Sequence, residues 1–419
     1  MSTQQTNIKL LRSLTLLDAI GIGLGAIIGA GIFVVTGVAA GVSGPSFILG
    51  LIIAGIIASF NALSSAQLAA SHPHSGGTYE YGYILLNPSL GFSAGWMFLV
   101  SKLSAAGVVA IGFGSYFYQL VPLGSPMILS LCAVVFLTLA NYFGIKKAGT
   151  LNLIIVLVTL TSLFYLIFSG ISEVHIENFK PFAPFGLKGV FESSAILFFA
   201  FTGYGRIATL AEEVAEPKKT IPKAIIITIV TAIILYLVIS IISIGTIGDA
   251  AMAQSKSPLQ EVANVLHTPA ISVILTIGAS TAMLGVLLSQ ILGISRVVLA
   301  MGRRNDLPPF FQDIHHRFRV PHVGVLITGC IIFLLTLLGT FEFIVRSATF
   351  TILLYYSITN LAALKQPKDE VMYGKVIPTL GLIGCLVMSI SLPFTVITSG
   401  IVILILGFGL RFIIRKVKN

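Results

Sequence analysis

Gly21-Ile-Gly-Leu-Gly-Ala-Ile-Ile-Gly-Ala-Gly-Ile-Phe33 lies inside an apolar run, Leu16 to Val42, whose one charge is Asp18. A run of that length and apolarity reads as a membrane-spanning helix. Within it the glycines have two uses. Gly21, Gly25 and Gly29 recur every four residues, a stripe of small residues along which another helix can approach closely. Gly29-Ala30-Gly31 sets two glycines around a small residue in mid-span, which invites the helix to unwind. Unwound backbone at membrane depth is tolerated only where it lines a cavity. For Gly29 and Gly31, close packing is the alternative reading. A nucleotide-binding loop is excluded, because G-x-G-x-x-G starting at Gly23 needs a glycine where Ile28 stands.

The rest of the 419 residues follows the same solvent. Hydrophobic residues make up 56%, charged residues 10%, and mean hydropathy is +1.00, where soluble domains carry about 25% charged residues. A soluble enzyme, a disordered chain and a secreted disulfide scaffold are excluded. Apolar windows run Leu16 to Val42, Ser46 to Ala70, Leu90 to Val121, Met127 to Ile145, Thr150 to Ile171, Val190 to Leu210, Pro222 to Gly248, Ala270 to Met301, Val323 to Thr340, Phe343 to Leu364, Val376 to Leu392 and Phe394 to Phe412. The expected fold is an all-α polytopic membrane protein of twelve transmembrane helices. Runs apolar on every face do not fit the period-two strands of an outer-membrane barrel.

The net charge of +10 does not mark a nucleic-acid surface, because the basic residues sit in short clusters between the windows. With the N-terminus inside, eighteen Lys and Arg fall in cytoplasmic segments, against Lys180, Lys188 and Lys256 opposite. By the positive-inside rule both termini are cytoplasmic, and the expected location is the plasma membrane. Residues 1–14 lack the apolar core of a signal peptide, so the first span is expected to target the chain. Three loops are long enough for structure of their own: His72 to Asn87, Asp249 to His267 with a short amphipathic helix, and Gly302 to Val320. Cys132, Cys330 and Cys385 lie in apolar runs without metal-ligand spacing and read as small core residues.

A second break stands in the sixth window, Phe198-Phe-Ala-Phe-Thr-Gly-Tyr-Gly205, five helices after the first. Interrupted helices at matching positions of two halves point to a secondary transporter's binding site. Free N–H groups there attract a carboxylate, and orphan carbonyls accept from an ammonium. A zwitterion is the natural ligand.

These residues resemble the amino acid–polyamine–organocation transporter superfamily. Four stretches carry the resemblance: Gly29-Ala-Gly-Ile-Phe33, Pro73-His-Ser-Gly-Gly-Thr-Tyr-Glu-Tyr81, Phe199-Ala-Phe-Thr-Gly-Tyr204 and Glu212-Glu-Val-Ala-Glu-Pro-Lys-Lys-Thr-Ile-Pro222. The resemblance implies a LeuT-like fold with inverted repeats over 15–172 and 187–364, broken helices 1 and 6, two peripheral helices over 374–414, and tails at 1–14 and 415–419. It implies a substrate carboxylate at the N–H groups of Ala30 and Gly31, beside Gly29, and an ammonium at the carbonyls of Ile27, Phe199 and Thr202. Phe199, Phe201 and Tyr204 become gate or pocket residues, with aromatic packing as the alternative, and Gly203 completes the second break. Where some relatives have serine in the first motif this chain has Ala30, and where some have an acid after the helix 6 aromatic it has Gly205. The expected substrate is therefore a neutral, apolar amino acid, although Glu80 or Glu192 could still approach the site.

Lys102, near the middle of the third window, is a functional candidate by its depth alone. In some proton-coupled relatives a helix 5 lysine takes the place of a sodium ion, but the matching position here is Thr159. Lys102 is the candidate for proton coupling, with a structural lysine as the alternative. Ser280 and Thr281 are candidates for sodium, with bonding to their own backbone as the competing reading. Asp18 could pair with Arg206 or Arg296, Arg346 reads as an i,i+4 partner of Glu342, and His72 and His74 read as solvated. No catalytic cluster, H-E-x-x-H motif, P-loop or metal set is found, so no cofactor beyond a coupling ion is expected. The expected partners are an amino acid and the bilayer, with no nucleic acid and no obligate protein. An amino acid exchanger, a sodium symporter, a carrier of cationic amino acids or polyamines, a non-transporting sensor and a membrane-embedded enzyme are the alternatives.

Overall fold

The computed structural model describes residues 14–72, 76–143, 148–208, 214, 216–268, 270–338 and 341–418. In chain order the helices are α1 Leu16–Ile27, α2 Thr36–Ser43, α3 Phe47–Ser71, α4 Thr78–Leu85, α5 Pro88–Phe117, α6 Pro126–Phe143, α7 Ala148–Gly170 and α8 Gly186–Phe201. There follow α9 Gly205–Ala208, α10 Pro217–Gln254, α11 Pro258–Val265, α12 Ile271–Arg303, α13 His322–Leu338, α14 Phe341–Lys365, α15 Val376–Ser391 and α16 Phe394–Lys418. Among the described residues there is no strand, only an isolated bridge between Leu14 and Val214. Among the described residues eight helical stretches are long and apolar enough to cross a membrane, the first running Leu16–Ser71, and His322–Leu338 and Val376–Ser391 are shorter apolar helices. The protein is an all-helical, multi-pass membrane protein.

Local chemistry sets the helix ends. Thr15 and Asp18 form a capping box at the start of α1. Asn87 accepts from the N–H groups of Ser89 and Leu90 ahead of Pro88, which begins α5. α10 outruns its apolar window at both ends and kinks at Gly248, whose φ of 75° suits glycine. The amphipathic helix expected between Asp249 and His267 is α11, shorter than that span because α10 continues to Gln254.

α5 packs against α6, α12, α13 and α14, and α12 also packs on α7. α3 lies against α8 and α10, while α1 lies against α7 and α10. Outward faces carry exposed apolar side chains such as Phe136 and Phe168, the side that lipid covers. Cys132 and Cys330 also face outward and only Cys385 is buried, which corrects the expectation that all three are core residues. An apolar run in a membrane helix does not distinguish core from lipid.

Two polar networks tie the bundle together. Asn360 donates to Asn61, and Gln67 donates to Gln366 at 2.8 Å. Both pairs are 299 residues apart, so α3 and the end of α14 run side by side in one direction. The second network closes around Asp306, which is fully buried after α12. It accepts from Tyr79 at 2.8 Å, Tyr83, Arg411 at 2.8 Å and Arg415 at 3.1 Å. Burial and then the hydrogen bond to Asp306 push the Tyr83 phenol up to about 12, which keeps it a donor. This cluster pins α16 to α4 and to the loop after α12.

Asp306→Ala leaves Arg411 buried without its carboxylate, a loss of about 3–5 kcal/mol for a broken buried pair. The expected result is a lowered Tm in detergent, with proteolysis beginning in α16. An unchanged Tm contradicts the anchoring role.

Candidate substrate site

α1 stops at Ile27, and Ile28 is extended at φ −78° and ψ 101°. The chain resumes as a π-helical turn, Gly31–Val35, whose N-terminus receives no side-chain cap. α8 stops at Phe201, passes through a 3-10 turn at Thr202–Tyr204 and resumes as α9. The breaks meet backbone to backbone. A Cβ on Gly31 would lie 2.6 Å from Ala200 Cβ, and one on Gly203 would lie 2.3 Å from the Ala26 carbonyl. Packing and unwinding are thus the same fact at these glycines.

Hydroxyls cover much of the exposed backbone. Tyr236 donates to Ile27 O at 2.8 Å and Ala200 O at 3.5 Å, Thr202 Oγ1 to Phe199 O at 3.0 Å, and Tyr356 to Thr202 O at 3.4 Å. Ile27, Phe199 and Thr202, the carbonyls expected to receive an ammonium, therefore each already accept one protein hydrogen bond.

A cavity of about 30 Å³ lies between the breaks. That is room for about one or two waters, too small for an amino acid. Ala26, Ile27, Gly29, Ala30 and Gly31 line one side, and Phe199, Ala200 and Thr202 another. Lys102 and Val109 of α5 and Val286 and Gln290 of α12 complete it. Lys102 Nζ stands 3.4 Å from Thr202 Oγ1 and 5.9 Å from the Phe98 ring. No carboxylate is among the described residues that line it.

Other candidates lie elsewhere. Phe201 packs on Tyr236 and Tyr204 on Tyr356, both rings fully buried, and neither lines the cavity; nor does Gly203. Thr159 donates to Ile155 O at 2.7 Å and Gly278 O at 3.4 Å, and Thr281 to Ile277 O at 2.8 Å. Ser280 Oγ is buried without a partner among the described residues, and none of these three hydroxyls lines the cavity. A larger cleft of about 310 Å³, lined by Lys188, Phe191, Glu192 and the 390–394 turn, includes none of the break residues.

The acids pair away from the site. Glu192 lies 3.4 Å from Arg346, nearer than Glu342 at 4.0 Å, so the i,i+4 pair expected at Arg346 has a closer long-range partner. Glu80 holds Arg304 through two hydrogen bonds. Asp18 turns back onto Thr15 and, among the described residues, forms no ion pair, so the expected contact with Arg206 or Arg296 is not made. His72 is half-buried, 3.7 Å from Glu370, rather than solvated, and His74 lies outside the described residues. Gln290, Tyr236 and Tyr356 are site residues that the sequence reading does not name. Each is a polar group within an apolar run, the one available signal.

The amino acid permease family matches residues 18–417. An uncharacterized transporter of Mycobacterium tuberculosis is 37% identical, over 97% of this chain and 93% of its own. A branched-chain amino acid permease of Bacillus subtilis is 30% identical, over 97% and 94%, and a methylthioribose transporter of the same organism is 31% identical, over 94% and 91%. The chain belongs to the amino acid permease family, a family of multi-pass membrane transporters.

Gly203→Ala drives a side chain into the Ala26 backbone, an overpacking of about 1–3 kcal/mol. Gly409→Ala, with nothing within 4 Å of the added carbon, is the comparison. The expected result is a lower Tm and lost substrate binding for the first and a neutral or raised Tm for the second. Equal Tm values for both contradict the contact.

Proposed function

We propose that this permease is a secondary active transporter that carries neutral, apolar L-amino acids across the plasma membrane by alternating access. The observation that carries the reading is the meeting of two helix breaks at one cavity that also holds a lysine. The N-terminus of the turn at Ala30 and Gly31, which no side chain caps, suits a carboxylate. The relatives' names range from branched-chain amino acids to cationic amino acids and methylthioribose, so the choice rests on the cavity's chemistry. Val109, Val286, Ala200 and Ile27 favour an apolar side chain, and Lys102 without a lining carboxylate disfavours a cation or polyamine. A cavity of about 30 Å³ must widen to admit any such ligand, which fits a closed stage of an alternating cycle.

The packing supports two inverted halves of five helices within twelve spans. The first half takes α1 with α2, then α3, α5, α6 and α7; the second takes α8 with α9, then α10, α12, α13 and α14. Exchanging corresponding members turns each of several contacts into another contact that is also made. α1 on α10 becomes α8 on α3, α7 on α12 becomes α14 on α5, and α6 on α12 becomes α13 on α5. The short helices α4 and α11 correspond too, packing on α5 and α12 respectively. α15 and α16 lie outside this exchange.

Lys102 is the proposed proton-coupling residue, since it joins the cavity to Thr202 of the second break and has no carboxylate beside it there. Sodium is the alternative: the Ser280 hydroxyl is unpaired among the described residues, but none of Thr159, Ser280 and Thr281 lines the cavity that holds Lys102. In sodium-free proteoliposomes an inward proton gradient is expected to drive accumulation of labelled leucine, isoleucine or valine. Lys102→Met is expected to lose gradient-driven accumulation while retaining exchange of preloaded substrate. Accumulation by Lys102→Met that still depends fully on the gradient contradicts the coupling role.

A further inference from the structure

Gln290 stands on α12 one helical turn after Val286, and both line the cavity between the breaks. Its carboxamide oxygen is buried and has no hydrogen-bond partner among the described residues. An unpaired buried acceptor destabilises a fold, and an apolar residue at the same place would not. A polar group left in that condition on a cavity wall fits one whose partner arrives with the ligand.

Three of the backbone acceptors at the cavity each already accept one side-chain hydrogen bond, whereas the Gln290 oxygen accepts none from the described residues. Ile27 O takes the Tyr236 hydroxyl, Phe199 O the Thr202 hydroxyl, and Thr202 O the Tyr356 hydroxyl. Lys102 supplies the opposite character, a donor whose ammonium reaches Thr202 Oγ1 at 3.4 Å. In so small a space a zwitterion is oriented by sign: its carboxylate suits the turn that begins after Ala30, and its ammonium, repelled by the Lys102 ammonium, is drawn to the unpaired Gln290 oxygen.

We infer that Gln290 contacts the substrate directly, its carboxamide oxygen accepting a hydrogen bond from the α-ammonium group of the amino acid. This rests on the transport reading above and deepens it. With the ammonium at Gln290, the wall formed by Val286 and Val109 is left to the substrate's side chain.

The test measures binding to the purified full-length protein. The probes are L-leucine, L-isoleucine, L-valine and L-alanine, with 4-methylpentanoate, which is leucine without its amino group. Gln290→Leu is expected to raise the Kd of all four amino acids about tenfold or more, the scale of a lost hydrogen bond to a charged group. The advantage of leucine over 4-methylpentanoate is expected to shrink by the same factor. Gln290→Glu keeps an acceptor and removes the amide donor, so it is expected to stay within a few-fold of the wild type. The ligand-free Tm of Gln290→Leu is expected at or above wild type, which separates lost contact from lost fold. Wild-type affinity in Gln290→Leu overturns the inference, as does an equal loss in Gln290→Glu, which makes the amide a donor. A reordering of the four amino acids without a common loss also overturns it, by assigning Gln290 to the side chain. A wild-type protein that binds none of the four overturns the transport reading itself, and the inference with it.

Discussion

Inside a bilayer no water is at hand for an exposed peptide group, so a helix that stops in mid-span must find partners for its backbone within the protein. Two helices of this chain stop there, at Ile27 and at Phe201, and the surrounding structure answers that demand. Tyr236 of α10 and Tyr356 of α14 reach in to cap carbonyls on both breaks, while Thr202 caps Phe199 within its own helix. Among the described residues the cavity keeps three groups for a ligand: the turn after Ala30, which no side chain caps, the unpaired carboxamide oxygen of Gln290, and the Lys102 ammonium, held only by its 3.4 Å contact with Thr202. Those groups mark the candidate site.

The same constraint explains where the glycines stand. Gly31 meets Ala200 and Gly203 meets Ala26 at distances that leave no room for a Cβ, so each break presses on the other and neither can unwind independently. The carboxylates nearest this crossing pair elsewhere. Asp306 with Arg411 and Arg415 fastens α16, Glu80 engages Arg304, and Glu192 engages Arg346. The amide pairs from α3 to α14 and Gln366 add a neutral lock between the helix that supports α8 and the one that carries Tyr356. The cavity is left with a single cation and no carboxylate among its lining residues.

Much of this is legible in the sequence, and what is not has a physical reason. Gly29-Ala30-Gly31 and Thr202-Gly203-Tyr204 announce the breaks because backbone freedom is written directly in residue type. Lys102 announces itself because a charge within an apolar run has few uses. Tyr236 and Gln290 do not, since their importance comes from packing against residues far away in sequence. Phe201 and Tyr204 are aromatic in either role, and only the fold turns them onto Tyr236 and Tyr356 rather than toward the cavity. The Glu192–Arg346 pair is hidden for the same reason, because a local partner at Glu342 satisfies the sequence pattern. Cys132 and Cys330 mark the limit of hydrophobicity itself, which reads alike toward lipid and toward core.

The central claim is that the space between the two breaks receives an amino acid. It is tested most directly by substrate protection of a thiol placed there, Val109→Cys, in a transport-competent background without Cys132, Cys330 and Cys385. The account predicts that alkylation by a small membrane-permeant reagent slows as leucine, isoleucine or valine is added, with half-protection at the concentration that half-saturates uptake. Alkylation that proceeds at one rate at every concentration supporting uptake would contradict it.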